Sequence, residues 1–393
     1  MQVNSELRTE ICICGGGPTG FAAAIRAARA GRNVIILAPD TEIPPARTAA
    51  LLDRSVAFLR SLDAWRPQDL GGAALRAMRL VDDTGSLVRA PEVTFHASEL
   101  GLQAFGHNVA NARLVDGLRT CAGEYAEIRI IGEKAAAMAL GGEQVAVTTE
   151  SGLTIDAKLV VAADGARSVA REAAGIPVRN WSYPQAAMIG IVAVQFPHGG
   201  TSTEFHTRSG PFTLVPFDAD RMSFVWMQSP EAADKAAALA VGEFNDLIEE
   251  RAYSIHGRMS LESDRTVLPL RGQLAERFAK RRVMLVGEAA HVFPPIGAQG
   301  LNLGLRDVEA FGRVIRRYAD DPGSQAALSA YQAARQADVV SRTYAVDLFN
   351  RSLLTALLPV HLLRSTGLAL AANVPAFRRI LMRQGLSRGI TAI

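Results

Sequence analysis

Cysteine is scarce here, with three in 393 residues. So few thiols build no disulfide framework, and the fold must rest on packing. Cys12 and Cys14, expected on opposite faces of one strand, read as small core residues, and no metal-ligand cluster or Ser-His-Asp set emerges. Excess charge is missing too: 42 basic and 39 acidic residues nearly cancel, and no aromatic-basic stripe appears, so no nucleic acid is expected as a partner. No apolar run reaches the roughly 18 residues of a membrane-spanning helix. The polar, charged N-terminal segment has no signal-peptide pattern, so a cytoplasmic location is expected. Internal repeats and low-complexity tracts do not stand out. The length leaves room for two domains with their own cores.

What is present is punctuation at chosen places. The richest stretch runs from Gly287 to Asp307, GEAAHVFPPIGAQGLNLGLRD. It follows an apolar run, Val283–Val286, that reads as a buried strand. Glu288 sits at the strand's end, Pro295 and Gly297 shape a loop, and a helix is expected to start near Gly300. That order suits a carboxylate beside a ribose hydroxyl and a helix N-terminus aimed at negative charge.

A second motif opens the chain. A buried strand ending at Cys14 leads into GGGPTG, then a helix from Phe21 to about Gly31, then a strand at Val34–Leu37. This is G-x-G-x-x-G inside a β-α-β unit, the context that makes it a dinucleotide fingerprint. Gly15 permits the tight turn, Gly17 lets a pyrophosphate approach the backbone ahead of Pro18, and Gly20 allows close helix–strand packing. The acid expected at the end of the second strand is replaced by Ala38, with Asp40 two residues on. A third motif, Asp164-Gly165, closes another apolar run, and Arg167-Ser168 open a new helix.

Three such motifs in this order resemble the single-component flavin monooxygenases of the p-hydroxybenzoate hydroxylase type, over most of the chain. Within them the last motif looks most like that of the ubiquinone-biosynthesis hydroxylases, with Glu288 in place of Asp and the Gly-Ala order before Gln299 swapped. The resemblance implies an α/β fold: a Rossmann-like FAD-binding domain, an inserted β-sheet substrate domain and a C-terminal helical tail. It implies FAD as cofactor, NADPH or NADH as transient reductant (or an electron-transfer partner), dioxygen as co-substrate, and reaction through reduced flavin and its C4a-hydroperoxide. It places Arg47 near the flavin ring and Arg113, in Asn-Ala-Arg, at the cofactor's phosphate and ribitol. By the same analogy the backbone N–H groups of Leu301 and Asn302 face the negative edge of the reduced ring. His291 is a candidate proton shuttle, set against a structural histidine that bonds the loop. A single fingerprint leaves no second Rossmann domain for a nicotinamide dinucleotide.

The FAD-binding domain is expected from 1–75, 101–178 and 275–340, the substrate sheet from 76–100 and 179–274, and a helical segment over 341–393. After Asp347 there are six arginines (Arg351, Arg364, Arg378, Arg379, Arg383 and Arg388) among paired leucines, and no acid. That pattern fits basic amphipathic helices lying on an anionic membrane surface, or equally a helical cap. The expected substrate is a polyprenyl-phenol of ubiquinone biosynthesis, with a biosynthetic complex as a further partner. The alternatives are a small soluble aromatic acid, met by Arg208 or Arg221, a halogenase or prenyl-chain reductase, and a flavin-bearing scaffold without turnover. The W-x-W-x-I-P segment of halogenases is not found.

Overall fold

The structure, a computed structural model, describes residues 6–85, 89–295, 298–354, 374, 378, 379 and 382. Gly297 and most of the tail, including Arg364, Arg383 and Arg388, lie outside the described residues.

Strand Glu6–Cys14 is the centre of the first sheet. It pairs in parallel with Val34–Leu37 on one side and Thr154–Ala162 on the other. The order across the sheet is Ala279–Lys280, Val283–Leu285, Thr154–Ala162, Glu6–Cys14, Val34–Leu37 and Ile128–Ile131. Ile11, Ile13 and Ile36 are fully buried, as parallel strands covered on both faces require. Each such side chain contributes about 1.5–3 kcal/mol of apolar burial. Cys12 and Cys14 do not point to opposite faces: residues two apart in a strand share one. Both thiols are buried, and the bond from Cys12, with desolvation, pushes the Cys14 thiol well up.

Helix Pro18–Ala28 lies against this sheet and is buried nearly all round. Helix Gln299–Arg317 crosses it, and glycine permits the approach. A Cβ on Gly304 would stand 3.0 Å from Thr19 Oγ1, and one on Gly312 would stand 2.2 Å from Arg26 Nε. Helix Gln325–Leu354 follows, running across the boundary expected at 340.

The second sheet runs His291–Val292, Thr266–Ala275, Val178–Val194, Arg221–Gln228, Gly210–Pro216, Thr201–Thr207, Ala77–Asp82 and Val93–His96. Alternation divides its faces. Phe205, Phe212, Leu214, Met222, Phe224 and Trp226 form one core with Phe244 and Ile248 of helix Val241–Arg251. Residues of opposite parity lie on the other face, and Ser223 marks it. Its hydroxyl accepts from Asn108 Nδ2 at 3.0 Å and from Thr48 Oγ1 at 3.2 Å. Asn108 and Thr48 belong to a small antiparallel sheet of Thr48–Leu52, Gly106–Ala110 and Ala73–Ala74. Of the tail arginines, Arg378 bonds Glu99 at 2.5 and 2.7 Å and lies 4.6 Å over the Phe95 ring, docked on protein. No helix among the described residues is long and apolar enough to cross a membrane.

Asn108 is 1% exposed and also donates to Pro216 O at 3.0 Å, so it ties the two sheets through one amide. Asn108→Ala removes both bonds, leaving Ser223 with Thr48 as its donor, and urea unfolding should show a loss of about 1–3 kcal/mol; an unchanged midpoint would mean the tie carries no stability.

Candidate cofactor and active site

The three motifs follow three adjacent parallel strands, so all emerge at one edge of the first sheet, outside the strands' carboxyl ends, where α/β sheets bind ligands. At the centre, Gly15 takes φ +116°, and a Cβ there would lie 2.2 Å from Ala163 O. A Cβ on Gly20 would lie 1.9 Å from Gly15 O. Gly17 differs: a Cβ there would meet no atom within 4 Å. Two glycines thus answer to the fold, and the third borders open space. Gly17 is also the N-cap of helix Pro18–Ala28, with no side-chain cap and Pro18 in the first turn. The helix start therefore offers uncapped N–H groups and a positive dipole end to a phosphate.

Asp164 stands one strand over. Its Oδ2 accepts from Ala170 N at 3.2 Å, while Oδ1 is buried with no hydrogen-bond partner among the described residues. Desolvation raises its carboxyl above the ordinary range. A buried carboxylate oxygen left unmet costs free energy until a donor reaches it. A hydroxyl-bearing ligand would supply one. Gly165 follows at φ +79°, and Ser168 caps the next helix by accepting from Arg171 N at 3.0 Å.

Beyond it lies the Gly287–Glu288 turn. Gly287 has φ +61°, with space for a Cβ only 3.1 Å from Thr19 Oγ1, so this turn and the fingerprint helix meet side by side. The Glu288 side chain is exposed, and Arg47 Nη2 stands 4.0 Å from its Oε1. The sequence separates those two residues widely; the fold sets them at one opening. Arg47 is held by its backbone, whose O accepts from Asn111 N at 2.9 Å. The Arg113 guanidinium fills the space beside Gly71, its Nη1 2.6 Å from where a Cβ there would be.

Pro295 is exposed on the loop, and Ala298 turns it with φ +53°. Helix Gln299–Arg317 begins there without a side-chain cap, so the N–H groups of its first turn, which includes Gly300, Leu301 and Asn302, are unspent within the helix. The Asn302 side chain is 4% exposed and fully used: Oδ1 accepts from Leu52 N at 2.9 Å, and Nδ2 donates to Ala50 O at 2.8 Å and Ala298 O at 2.5 Å. It locks the helix start onto strand Thr48–Leu52.

His291 is 1% exposed. Its Nε2–H donates to Asp307 Oδ2 at 2.8 Å, and its ring stacks on Phe293 at 5.2 Å. Asp307 is the residue the motif reading left without a role. It also accepts from Gly287 N at 2.9 Å and from Arg335 Nε at 2.6 Å. Burial works to raise its carboxyl, and His291 and Arg335 overcome that, leaving it below the ordinary range. Asp338 joins Arg335 at 2.9 Å and Arg342 at 2.7 Å, while burial, then the Arg342 charge, brings the neighbouring Arg306 down to about 10. The sequence signal for this network was the Arg306-Asp307 pair, both buried on the helix.

Two clefts flank the edge. One, about 410 Å³, is lined by Arg167, Arg171, Arg271, Asn180 and Trp181 beside the Asp164 turn. The other, about 490 Å³, lies between residues 40–43 and the helix Asn111–Gly123.

Residues 8–344 match the family described as FAD binding domain. The chain is 30% identical over 388 residues to the ubiquinone hydroxylase UbiL of Rhodospirillum rubrum, covering 96% of this chain and 89% of that protein. It is 29% identical over 394 residues to the 3-demethoxyubiquinol 3-hydroxylase of Escherichia coli, covering 96% and 98%. Among solved structures, p-nitrophenol 4-monooxygenase PnpA from Pseudomonas putida superposes with a TM-score of 0.78 at 18% identity, over 97% of this chain and 98% of that one. The flavin-dependent monooxygenase PieE, solved with FAD and substrate, gives 0.70 at 16%, over 96% and 71%. Those two likenesses show a shared fold.

Two outcomes follow from this geometry. Gly17→Leu should fold with wild-type circular dichroism yet purify colourless, whereas Gly20→Ala should lose stability outright; a yellow Gly17→Leu protein would sink the pyrophosphate assignment. Asp307→Asn should cost about 1–3 kcal/mol near neutral pH, because it leaves the buried Arg335 with Asp338 as its one carboxylate partner among the described residues. A depressed carboxyl stabilises above its unfolded value and stops doing so as pH falls through its folded value. The gap between wild type and variant should therefore shrink below about pH 4. A gap constant from pH 7 to 3 would show that the charge is not what matters.

Proposed function

This chain belongs to the FAD binding domain family, and from that premise we propose that it is an FAD-dependent monooxygenase hydroxylating the ring of a polyprenyl-phenol in ubiquinone biosynthesis. The cofactor reading is carried by the buried, unpartnered Oδ1 of Asp164 on the same sheet edge as the open, uncapped helix start at Gly17. The substrate reading rests on relatives named for ubiquinone hydroxylation that match nearly the whole chain.

Bound FAD, reduced by NADPH or NADH, would supply the activation of dioxygen that an aromatic ring lacks. The protein's part is binding, orientation and exclusion of water. The Gly15–Gly20 turn would seat the pyrophosphate, Asp164 and Glu288 would accept from cofactor hydroxyls, and Arg47 would lie beside Glu288. The first-turn N–H groups at Leu301 and Asn302 would face developing negative charge, held in place by the Asn302 amide. His291, sealed against Asp307, would hold the loop rather than move protons. The second sheet would close over the ring with the face that carries Ser223, Val225 and Met227.

One observation favours a phenol with an apolar tail over a small aromatic acid. Both candidate carboxylate-binding arginines are already committed: Arg208 Nε donates to Thr84 O at 2.6 Å, and Arg221 Nε to Asp218 Oδ2 at 2.9 Å. An apolar substrate also accords with peripheral association at a membrane face and with a biosynthetic complex.

Expression in strains each lacking one hydroxylation step of ubiquinone synthesis should restore ubiquinone, by mass spectrometry, in one of them. Intermediates accumulating in every strain despite a folded, FAD-loaded protein would reject the substrate and leave the small-aromatic and scaffold readings.

A further inference from the structure

The fingerprint turn lies mid-sheet, and the two carboxylate motifs lie to one side of it. Asp164 follows the next strand and Glu288 the one beyond. A dinucleotide with its pyrophosphate at Gly17 and one half toward Asp164 must send its other half the opposite way, over the end of strand Val34–Leu37. At that end the usual acid is absent. Ala38 is fully buried and packs on the fingerprint, its Cβ 2.6 Å from where a Gly16 Cβ would be. The position can give no hydrogen bond to a ribose.

The cleft of about 490 Å³ opens at this end. Asp40 and Arg119 line it from opposite walls, one on the loop after the strand and one on helix Asn111–Gly123, and they pair across it at 3.0 Å. The Arg119 guanidinium also lies 5.4 Å over the ring of Phe21, a buried residue of the fingerprint helix, so the arginine is anchored to the element that would carry the pyrophosphate. The Asp40 side chain is 91% exposed. A carboxylate offers about four acceptor sites, so pairing with Arg119 leaves capacity for the vicinal hydroxyls of a ribose. Glu42 and Asp116 also line the cleft, and Asp40 is the carboxylate that Arg119 pairs with there.

We propose that Asp40, positioned by Arg119, is the adenosine-ribose acceptor of this chain, replacing the acid missing at Ala38. This rests on the FAD reading above and adds where the adenosine half lies.

The test is titration of the FAD-stripped full chain with FAD and with FMN, which lacks the adenosine half, followed by protein fluorescence. Asp40→Ala and Arg119→Ala should each bind FAD about tenfold to a hundredfold more weakly, the span expected for losing a hydrogen bond to a charged group, with FMN affinity unchanged. Asp40→Glu should retain most of the FAD affinity. Circular dichroism and thermal melts of the variants establish that they fold. Wild-type FAD affinity in both alanine variants would overturn the proposal, as would an equal loss for FAD and FMN. A wild-type chain that takes up no FAD would fail at the earlier step and remove the cofactor reading itself.

Discussion

The candidate site depends on one buried carboxylate. Asp307 is sealed inside the protein and holds three donors from three places: the Gly287 N–H, the His291 ring and the Arg335 guanidinium. The first sits in the turn that presents Glu288. The second begins the short strand His291–Val292 that joins the second sheet. The third comes from helix Gln325–Leu354. Burying an ion is costly unless each lone pair is met. The network therefore specifies a geometry more than it adds stability: Asp307 meets all three donors only when the turn, the sheet edge and the helix are in place together.

The same economy appears where helix meets helix. Gly304 and Gly287 both press on Thr19, so the fingerprint helix, the Gly287 turn and helix Gln299–Arg317 converge on one hydroxyl. The start of helix Gln299–Arg317 is fixed by Asn302 to a different element, strand Thr48–Leu52, and Thr48 in that strand bonds Ser223 of the second sheet. The start of helix Gln299–Arg317 and the Ser223 face of the second sheet are thus held in register by a few buried amides and hydroxyls. Catalysis at such a junction needs positioning to a fraction of an ångström, and short, fully used hydrogen bonds provide it.

Much of this was legible in the chain, because it lies in local chemistry. G-x-G-x-x-G between strand and helix, Asp164-Gly165 after an apolar run, and the loop from Glu288 into a helix near Gly300 are short segments whose residue types specify turn, strand and cap. Other features were illegible or misread. Cys12 and Cys14 share a strand face and do not oppose. That the Arg113 guanidinium rests beside Gly71 is not announced by its motif. Arg208 and Arg221 spend their guanidinium groups on neighbours, which no spacing announces. Asp307 looked like the end of a motif and proved to be its anchor.

The sequence by itself determined which strands end in glycine and acid, which helices start uncapped, and that one dinucleotide fingerprint is present, since backbone conformation and local polarity follow from residue type. Only the tertiary structure decided that Arg47 meets Glu288, that Asp164 keeps an oxygen unmet, that His291 is buried on Asp307, and that a cleft walled by Asp40 and Arg119 lies beyond Ala38. Those depend on burial and on distances between segments far apart in the chain. Both arise from how the sheets and helices pack together, and no local run of residues records them.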